Sequence, residues 1–62
     1  MLRFESYPHY YEVMDEENTC IGILKKTIHY TRQYAFFPDT IVLVESDLFE
    51  IANKLKELNN EN

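Results

Sequence analysis

One stretch of the chain, residues 46–59, has the spacing of an amphipathic helix, and this limits what the remaining residues can form. Its apolar residues follow the i, i+3, i+4, i+7, i+10 spacing of a single buried stripe: Leu48, Ile51, Ala52, Leu55 and Leu58. Ser46 can be its N-cap, because a serine hydroxyl accepts a free backbone N–H of the first turn. Glu50 and Lys54 form an i, i+4 pair in the favourable order. One such helix covers one face of a sheet only, so a sheet in this chain has a second, uncovered face.

Strand patterns occupy much of residues 4–44. Tyr10 to Met14 alternates, with Tyr11 and Val13 on one face and Glu12 and Met14 on the other. The polar residues 15–19 predict a turn, and the apolar run of residues 20–24 follows at once, so the pair predicts a hairpin. A glycine inside the second run, Gly22, indicates a bulge or close packing against an aromatic ring.

Residues 20–37 are too many for one ordinary strand, since strands usually have about 5–6 residues. We expect a break within residues 27–33, which gives strands near 20–28 and 33–37; one long bent strand is the alternative. Pro38-Asp39 predicts a turn, and residues 41–44 predict either a short buried strand or an extended lead into the helix. The prediction is a single α+β domain over residues 1–62. It is an antiparallel meander of three to four strands, with one C-terminal helix, about 46–59, packed on one face.

Residue types that carry chemistry are few and poorly spaced. Cys20, His9 and His29 do not have the spacing of a zinc site, and no activating pair for a nucleophile can be built from them. Cys20 is expected to be a small buried apolar residue at the start of a strand. The acidic run at residues 15–17 lacks the alternating ligands and central glycine of a calcium loop. We therefore expect no catalytic, metal-binding or cofactor-binding residues and no enzymatic activity.

Charge is segregated along a chain whose net charge is −5. The first 19 residues carry a net −4, residues 20–37 carry +3 and residues 38–62 carry −4. This acidic balance argues against general affinity for duplex DNA, whose phosphates require a basic surface. No apolar run approaches the roughly 20 residues that cross a bilayer, and no signal-peptide pattern is present. With a lone cysteine, these features predict a protein of the cytoplasm that does not interact with membranes.

Aromatic residues make up 15% of the chain, a large share for a domain with one amphipathic helix. Because strand side chains alternate between faces, some rings have to point away from the helix. Phe49 lies roughly 100° from Leu48 around the helix and is off its stripe. Exposed Tyr and Phe are typical of interface cores, so we expect a binding surface. The alternative is that tyrosines merely line the edges of a small core with their hydroxyls in water.

The segment of residues 25–34 mixes cations with aromatic rings. A period of two puts one set of its side chains on a shared face: Lys26, Ile28, Tyr30, Arg32 and Tyr34. Such a face can stack single-stranded bases and neutralise phosphates, which gives an alternative function. A further alternative is acidic mimicry of nucleic acid, in which Glu16, Glu17 and Glu50 occupy a basic groove.

Residues 34–60 resemble the C-terminal half of short proteins encoded by bacteriophages and other mobile elements. The resemblance lies in the aromatic-Pro strand end Phe36-Phe37-Pro38, followed by a capped amphipathic helix that ends in Leu58-Asn59. It implies a viral protein of the host cytoplasm that binds and inhibits a host factor, such as a bacterial defence complex. No functional residues carry over from it.

These observations predict a small non-enzymatic protein-interaction domain, a phage-type inhibitor or regulator that binds and blocks a host protein or complex. A chain this short has little core, so we also expect it to self-associate as a homodimer. Nucleic acid is a less favoured partner on grounds of charge. The residues predicted to bind partners are Tyr10, Glu16, Glu17, Lys26, Tyr30, Arg32, Tyr34, Phe36 and Phe49.

Overall fold

A computed structural model describes residues 1–28, 32–40 and 42–60, and it has the predicted α+β architecture. In these residues, four strands form one antiparallel sheet in the order β1-β2-β3-β4, and a C-terminal helix packs against it. The elements are β1 (Arg3–Ser6), β2 (Tyr10–Met14), β3 (Cys20–Lys26), β4 (Tyr34–Pro38) and α1 (Glu45–Asn60). The meander with one helix on one face is confirmed.

A tight hairpin joins β1 to β2. The backbone N–H of Tyr7 donates to the carbonyl of Tyr10 at 2.9 Å, which leaves Pro8 and His9 as its loop. Four β1 residues then pair with β2, from Ser6 opposite Tyr11 to Arg3 at the far end. β1 begins one residue before the predicted strand range of 4–44.

The hairpin between β2 and β3 is confirmed at residues 15–19, and Asp15 organises it. Its carboxylate accepts the backbone N–H groups of Glu17 and Thr19, each at 2.9 Å. Asn18 has a φ of 62°, in the left-handed region that asparagine tolerates better than most residues. The acidic tip is thus a local turn in which the Asp15 carboxylate binds backbone N–H groups of the same loop.

A β-bulge in β3 accounts for Gly22. Val13 lies opposite Gly22 while Met14 lies opposite Cys20, so Ile21 is the extra residue. Gly22 has a φ of 156°, and a Cβ built there would lie 2.6 Å from the Phe36 ring. The two alternatives predicted for this glycine, a bulge or close packing against an aromatic ring, occur together.

The predicted break after β3 is also confirmed, since β3 ends at Lys26 and β4 begins at Tyr34. Thr27 donates its backbone N–H to the carbonyl of Gln33 at 2.9 Å, which brings the two ends of the connection together. A single long bent strand over residues 20–37 is therefore wrong. Residues 29–31 of this connection lie outside the described part.

Residues 42–44 do not form the short buried strand that was one of two alternatives. Val42 and Val44 are exposed, while Leu43 packs against the core, so the segment is an irregular lead into the helix. Ile41 lies outside the described residues.

The helix begins one residue earlier than predicted, and its N-cap is Val44 rather than Ser46. The Leu48 N–H donates to the Val44 carbonyl at 3.1 Å, and the Val44 N–H lies 3.5 Å from an Asp47 carboxylate oxygen. Ser46 therefore lies inside the first turn. The physical reason is that Asp47 reaches back to the chain entering the helix, as the acidic residue of a capping box does.

The predicted Glu50–Lys54 pair is not formed. Glu50 instead accepts the backbone N–H of Leu2 at 2.8 Å, and the Lys54 ammonium lies 3.2 Å from the Glu57 carboxylate. Lys54 also lies near two rings of the sheet, 5.8 Å from the Phe4 centroid and 5.3 Å from the Tyr11 centroid. Glu50 therefore bonds to the edge of the sheet, while Lys54 pairs with Glu57 within the helix.

The core lies between the helix and one face of the sheet. Its buried residues are Leu2, Val13, Ile21, Leu24, Ile51 and Leu58, with Phe4, Tyr11, Tyr34, Phe36, Leu43 and Leu55 packed around them. Leu48 and Ala52 are exposed, so their assignment to the buried stripe is wrong. The apolar arc of this helix is wider than its contact with a four-stranded sheet, and the excess faces solvent.

Helix side chains bind backbone groups at both edges of the sheet. Glu50 binds Leu2 beside β1, while Asn59 binds Tyr34 in β4 through two hydrogen bonds. The Tyr34 N–H donates to the Asn59 Oδ1 at 2.7 Å, and the Asn59 Nδ2 donates to the Tyr34 carbonyl at 3.3 Å. The helix therefore crosses the sheet from one edge to the other, which fixes the side that it turns to solvent.

Candidate functional site

Eight of the nine aromatic rings belong to described residues, and they divide between three surfaces. Half of them lie on the helix side of the sheet, around the core: Phe4, Tyr11, Tyr34 and Phe36. Tyr10 and Phe37 lie on the opposite face, and Tyr7 stacks on Tyr10 with centroids 5.1 Å apart. Phe49 lies on the outer side of the helix. Rings thus occur outside the helix-covered layer, as their number predicted.

The uncovered face of the sheet, which we call the open face, is apolar at its centre: Tyr10, Met14, Ile23, Ala35 and Phe37. Four of these side chains are half-buried by their neighbours, and Phe37 is 44% exposed. Charged residues interrupt the face. Glu5 lies directly opposite Glu12, and the Lys25 ammonium lies 6.0 Å from the Phe37 centroid. The open face therefore combines limited apolar exposure with closely spaced charges.

A carboxylate on the open face affects the titration of Tyr7. The negative charge of Glu12 opposes ionisation of the Tyr7 phenol and raises its pKa above the ordinary value. Reduced hydration, a hydrogen bond between the two side chains and the charge of Glu5 act in the same direction. Because the folded pKa lies above the unfolded one, this contribution to stability is present at neutral pH and is lost as the pH rises through the folded pKa.

We expect Tyr7 to ionise at higher pH than a free tyrosine, and Glu12→Gln to lower its pKa by removing the charge. The difference between ultraviolet titrations of the parent chain and Tyr7→Phe isolates the Tyr7 phenol. Glu16→Gln, at the hairpin tip, is the matched control and should leave the curve in place. A Tyr7 pKa at or below the ordinary value, or one unchanged in Glu12→Gln, would contradict this arrangement.

The largest apolar exposure lies on and just before the first half of the helix. We call it the helix patch: Val42, Val44, Leu48, Phe49 and Ala52. Val42 is 72% exposed, Leu48 51% and Phe49 63%. Val44, Leu48 and Ala52 are spaced four residues apart, so they lie along one side of the helix, and Phe49 is next to them. Leu48, Phe49 and Ala52, together with Glu45, line a shallow hollow.

The helix patch exists because the apolar arc of the helix is wider than the part that contacts the sheet. Ile51 and Leu58 face the sheet, while Leu48 lies roughly 60° and Ala52 roughly 100° from Ile51 around the helix. Phe49 was predicted to lie off the buried stripe, and this is confirmed. The exposure of Val42 and Val44 was not predicted, and Leu48 and Ala52 were assigned to the core. The signal was the breadth of the apolar arc, which is wider than one sheet contact requires.

The predicted partner-binding residues do not form one surface. Tyr34 and Phe36 are half-buried under the helix, Tyr10 is half-buried on the open face, and Phe49 is exposed on the helix patch. Lys26 and Arg32 are exposed, at the end of β3 and in the β3–β4 connection, and Tyr30 lies outside the described residues. Glu16 and Glu17 are exposed at the β2–β3 hairpin tip.

The shared face predicted for residues 26–34 is wrong, because β3 ends at Lys26 and the next strand begins only at Tyr34. Arg32 has a φ of 58°, which is incompatible with an extended strand and breaks the period of two. Lys26 and Tyr34 do lie opposite each other, but on the side of the sheet that the helix covers. Single-strand nucleic-acid binding stays a prediction, but the shared strand face on which it was based is not formed.

Of the residues that could carry chemistry, Cys20 and His9 lie beyond opposite ends of β2, and His29 lies outside the described residues. Cys20 is half-buried at the start of β3, rather than fully buried as predicted, and its Sγ lies 3.4 Å from the Gly22 carbonyl. His9 is exposed in the β1–β2 loop. Within residues 1–28, 32–40 and 42–60, His, Cys, Asp and Glu do not gather in a group that could hold a metal ion. The helix of this described part falls short of a membrane span in length and apolar character.

Comparison with known proteins gives no match to a protein-family model, a curated protein or a solved structure. Of the two apolar surfaces, the helix patch has the greater exposure and the fewer charges.

Proposed function

We propose that this chain is a small protein-interaction domain that docks through the helix patch. The observation that supports it is the exposure of four large apolar side chains on and before the start of α1: Val42, Val44, Leu48 and Phe49. Single exposed apolar residues are ordinary, but a contiguous group is typical of a binding site. The core is complete without them, so their apolar character is not explained by folding.

The spacing of the helix patch fits the helix-in-groove mode of recognition. Val44, Leu48 and Ala52 present an i, i+4, i+8 row, and Phe49 adds an aromatic anchor beside it. A partner with an apolar groove would accept this row, with Phe49 in a pocket of its own. Aromatic anchors of this kind commonly contribute about 2–4 kcal/mol to binding. The partner site is then blocked sterically, without any chemistry.

The resemblance of residues 34–60 to phage and mobile-element proteins supports a further part of the proposal. It covers the helix patch and β4, the same region that carries the exposed apolar side chains. We propose that the partner is a host protein or complex and that occupying its groove inhibits or regulates it.

We expect Phe49→Ala and Leu48→Ala each to weaken partner binding by about tenfold or more, because both remove apolar contacts at the centre of the patch. Phe37→Ala, which removes an exposed ring from the open face, is the matched control and should change affinity by less than about threefold. The partner is the protein that the parent chain retains from a lysate of the source cell. It is then purified for calorimetric titration with each variant.

The same set of variants separates the possible results. Loss of affinity in Phe49→Ala and Leu48→Ala, with Phe37→Ala unchanged, supports the helix patch. Full affinity in both patch variants, or loss only in Phe37→Ala, contradicts it. Retention of single-stranded nucleic acid on a filter at low salt, with no protein partner, would favour the alternative function instead.

A further inference from the structure

The two edges of the sheet differ in how well they are closed. At β4, the outward N–H and carbonyl of Tyr34 both bind Asn59, and Pro38 has no N–H to offer. Phe36 is left as the one described β4 residue with both outward backbone groups free. A further strand would find few partners at this edge, so it is protected against strand addition.

The β1 edge is open by the same criterion. The Tyr7–Tyr10 hydrogen bond fixes the alternation along the strand, so Arg3 and Glu5 bond to β2 while Leu2, Phe4 and Ser6 direct their backbone groups outward. The outward N–H of Leu2 binds Glu50. In the described part of the chain, the outward backbone groups of Phe4 and Ser6 have no hydrogen-bond partner. Unpaired edge groups of this kind are a template for another strand.

We propose that the β1 edge pairs with β1 of a second copy of this chain, antiparallel and with the two-fold axis at Phe4. In this register the Phe4 residues of the two copies lie opposite each other and exchange both backbone hydrogen bonds. Arg3 of each copy then lies opposite Glu5 of the other, on the open face. These are non-hydrogen-bonded pairs, whose side chains approach most closely in an antiparallel ladder. The edge is therefore self-complementary in charge.

The neighbouring register supports this choice by contrast. Moving the two-fold axis to Glu5 would pair the outward backbone groups of Phe4 in one copy with those of Ser6 in the other. It would also place the two Glu5 carboxylates directly opposite each other. Like charges in that position are destabilising. Arg3 and Glu5, now 2.8 Å apart within one strand, can exchange partners between copies in the Phe4 register without losing a charge pair.

The helix side of the edge has room for the second copy. A shallow hollow beside β1 is lined by Phe4, Glu50, Asn53, Lys54 and Glu57. The Phe4 ring of the second copy would lie under this hollow, and Lys54 and Glu57 offer opposite charges at its rim. The pairing joins two four-stranded sheets into one of eight strands, with both helices on the same face.

The short edge predicts a weak dimer. β1 has four residues, so the interface belongs to the class below about 1,200 Å² that gives transient complexes. We therefore expect association at high micromolar concentration and monomers when dilute. The inference is independent of the function proposed above, since the β1 edge and the helix patch share no residue.

Sedimentation equilibrium up to about 1 mM chain tests the dimer. Ser6→Pro removes an outward N–H that the monomer does not use, so circular dichroism should show an intact fold. We expect the dissociation constant of this variant to rise by about tenfold or more. Ser6→Ala keeps the N–H and is the matched control. A parent chain that stays monomeric, or a dimer unaffected by Ser6→Pro, overturns the proposal.

Charge exchange tests the register. Arg3→Glu and Glu5→Arg should each abolish self-association, because each places like charges opposite one another. An equal mixture of the two variants should form a heterodimer, since every cross-strand pair is then of opposite sign. Self-association of either variant, or no association in the mixture, contradicts the register. Partner binding by Ser6→Pro at the affinity of the parent chain would show that the helix patch acts separately.

Discussion

Gly22→Ala is expected to lower the unfolding free energy by about 3 kcal/mol or more, one of the two largest effects of the single substitutions considered. A methyl group at this position would lie 2.6 Å from the backbone carbonyl oxygen of Phe37 and 2.6 Å from the Phe36 ring. The φ of 156° adds strain for any side chain. A chain of this size has about 3–9 kcal/mol of stability in total, so the variant should lose about a third of it or more.

Urea denaturation followed by circular dichroism measures this loss. Lys26→Ala, an exposed change in the same strand, is the control and should alter the unfolding free energy by about 0.5 kcal/mol at most. Adding Phe36→Leu to Gly22→Ala should recover little, because the Phe37 carbonyl belongs to the β3–β4 ladder and cannot move away. A stable Gly22→Ala chain would contradict the close approach of β4 to β3 at the bulge.

Leu24→Ala should lower the unfolding free energy by about 3–4 kcal/mol, because Leu24 is 0% exposed and its truncation leaves a cavity. The residue lies between Tyr11 and Phe36 on neighbouring strands, beneath the helix. Because strand pairing fixes the backbone of Tyr11 and Phe36, their rings cannot fully fill the space left by Leu24. The free-energy cost of the cavity therefore remains. Thermal denaturation should show a correspondingly lower midpoint.

Leu48→Ala is the matched control for this prediction, since it makes the same chemical change at an exposed site. We expect its unfolding free energy to differ from that of the parent by no more than about 0.5 kcal/mol. Similar losses in Leu24→Ala and Leu48→Ala would mean that the helix buries its other side. The comparison therefore tests the orientation of α1, on which the helix patch depends.

Local sequence patterns predicted β2, β3, β4 and the position of the helix because each depends on near neighbours, whereas β1 was not predicted as a separate strand. The alternation of residues 10–14 gave β2, and the polar residues 15–19 gave the hairpin. Gly22 indicated both the bulge and the contact with a ring. These features follow from backbone geometry and from the period of side-chain alternation, which are visible in one segment at a time.

Features decided by tertiary contacts were not predicted. The rotation of α1 depends on Glu50 binding Leu2 and Asn59 binding Tyr34, which are contacts between segments far apart in sequence. The predicted i, i+4 pair of Glu50 and Lys54 is absent because Glu50 binds Leu2 instead. Without the rotation, Leu48 could not be distinguished from Ile51 as a core residue. The helix patch was therefore only partly visible, through Phe49.

The surfaces follow from one property of the fold. A single helix packs on a four-stranded sheet. It contacts the sheet through one apolar side and through two polar side chains, Glu50 and Asn59, which bind backbone groups at the sheet edges. Its second apolar side is left in solvent, at the end where the chain enters it. The exposed apolar side therefore does not weaken the core.

Hydroxyl-radical footprinting of the chain, free and bound to its partner, tests this account most directly. Oxidation of Phe49 and Leu48 should be high in the free chain and should fall several-fold in the complex. Tyr7, at the opposite face of the sheet, should be labelled equally in both states. Unchanged labelling of Phe49 and Leu48 in a saturated complex would contradict the helix patch as the docking surface.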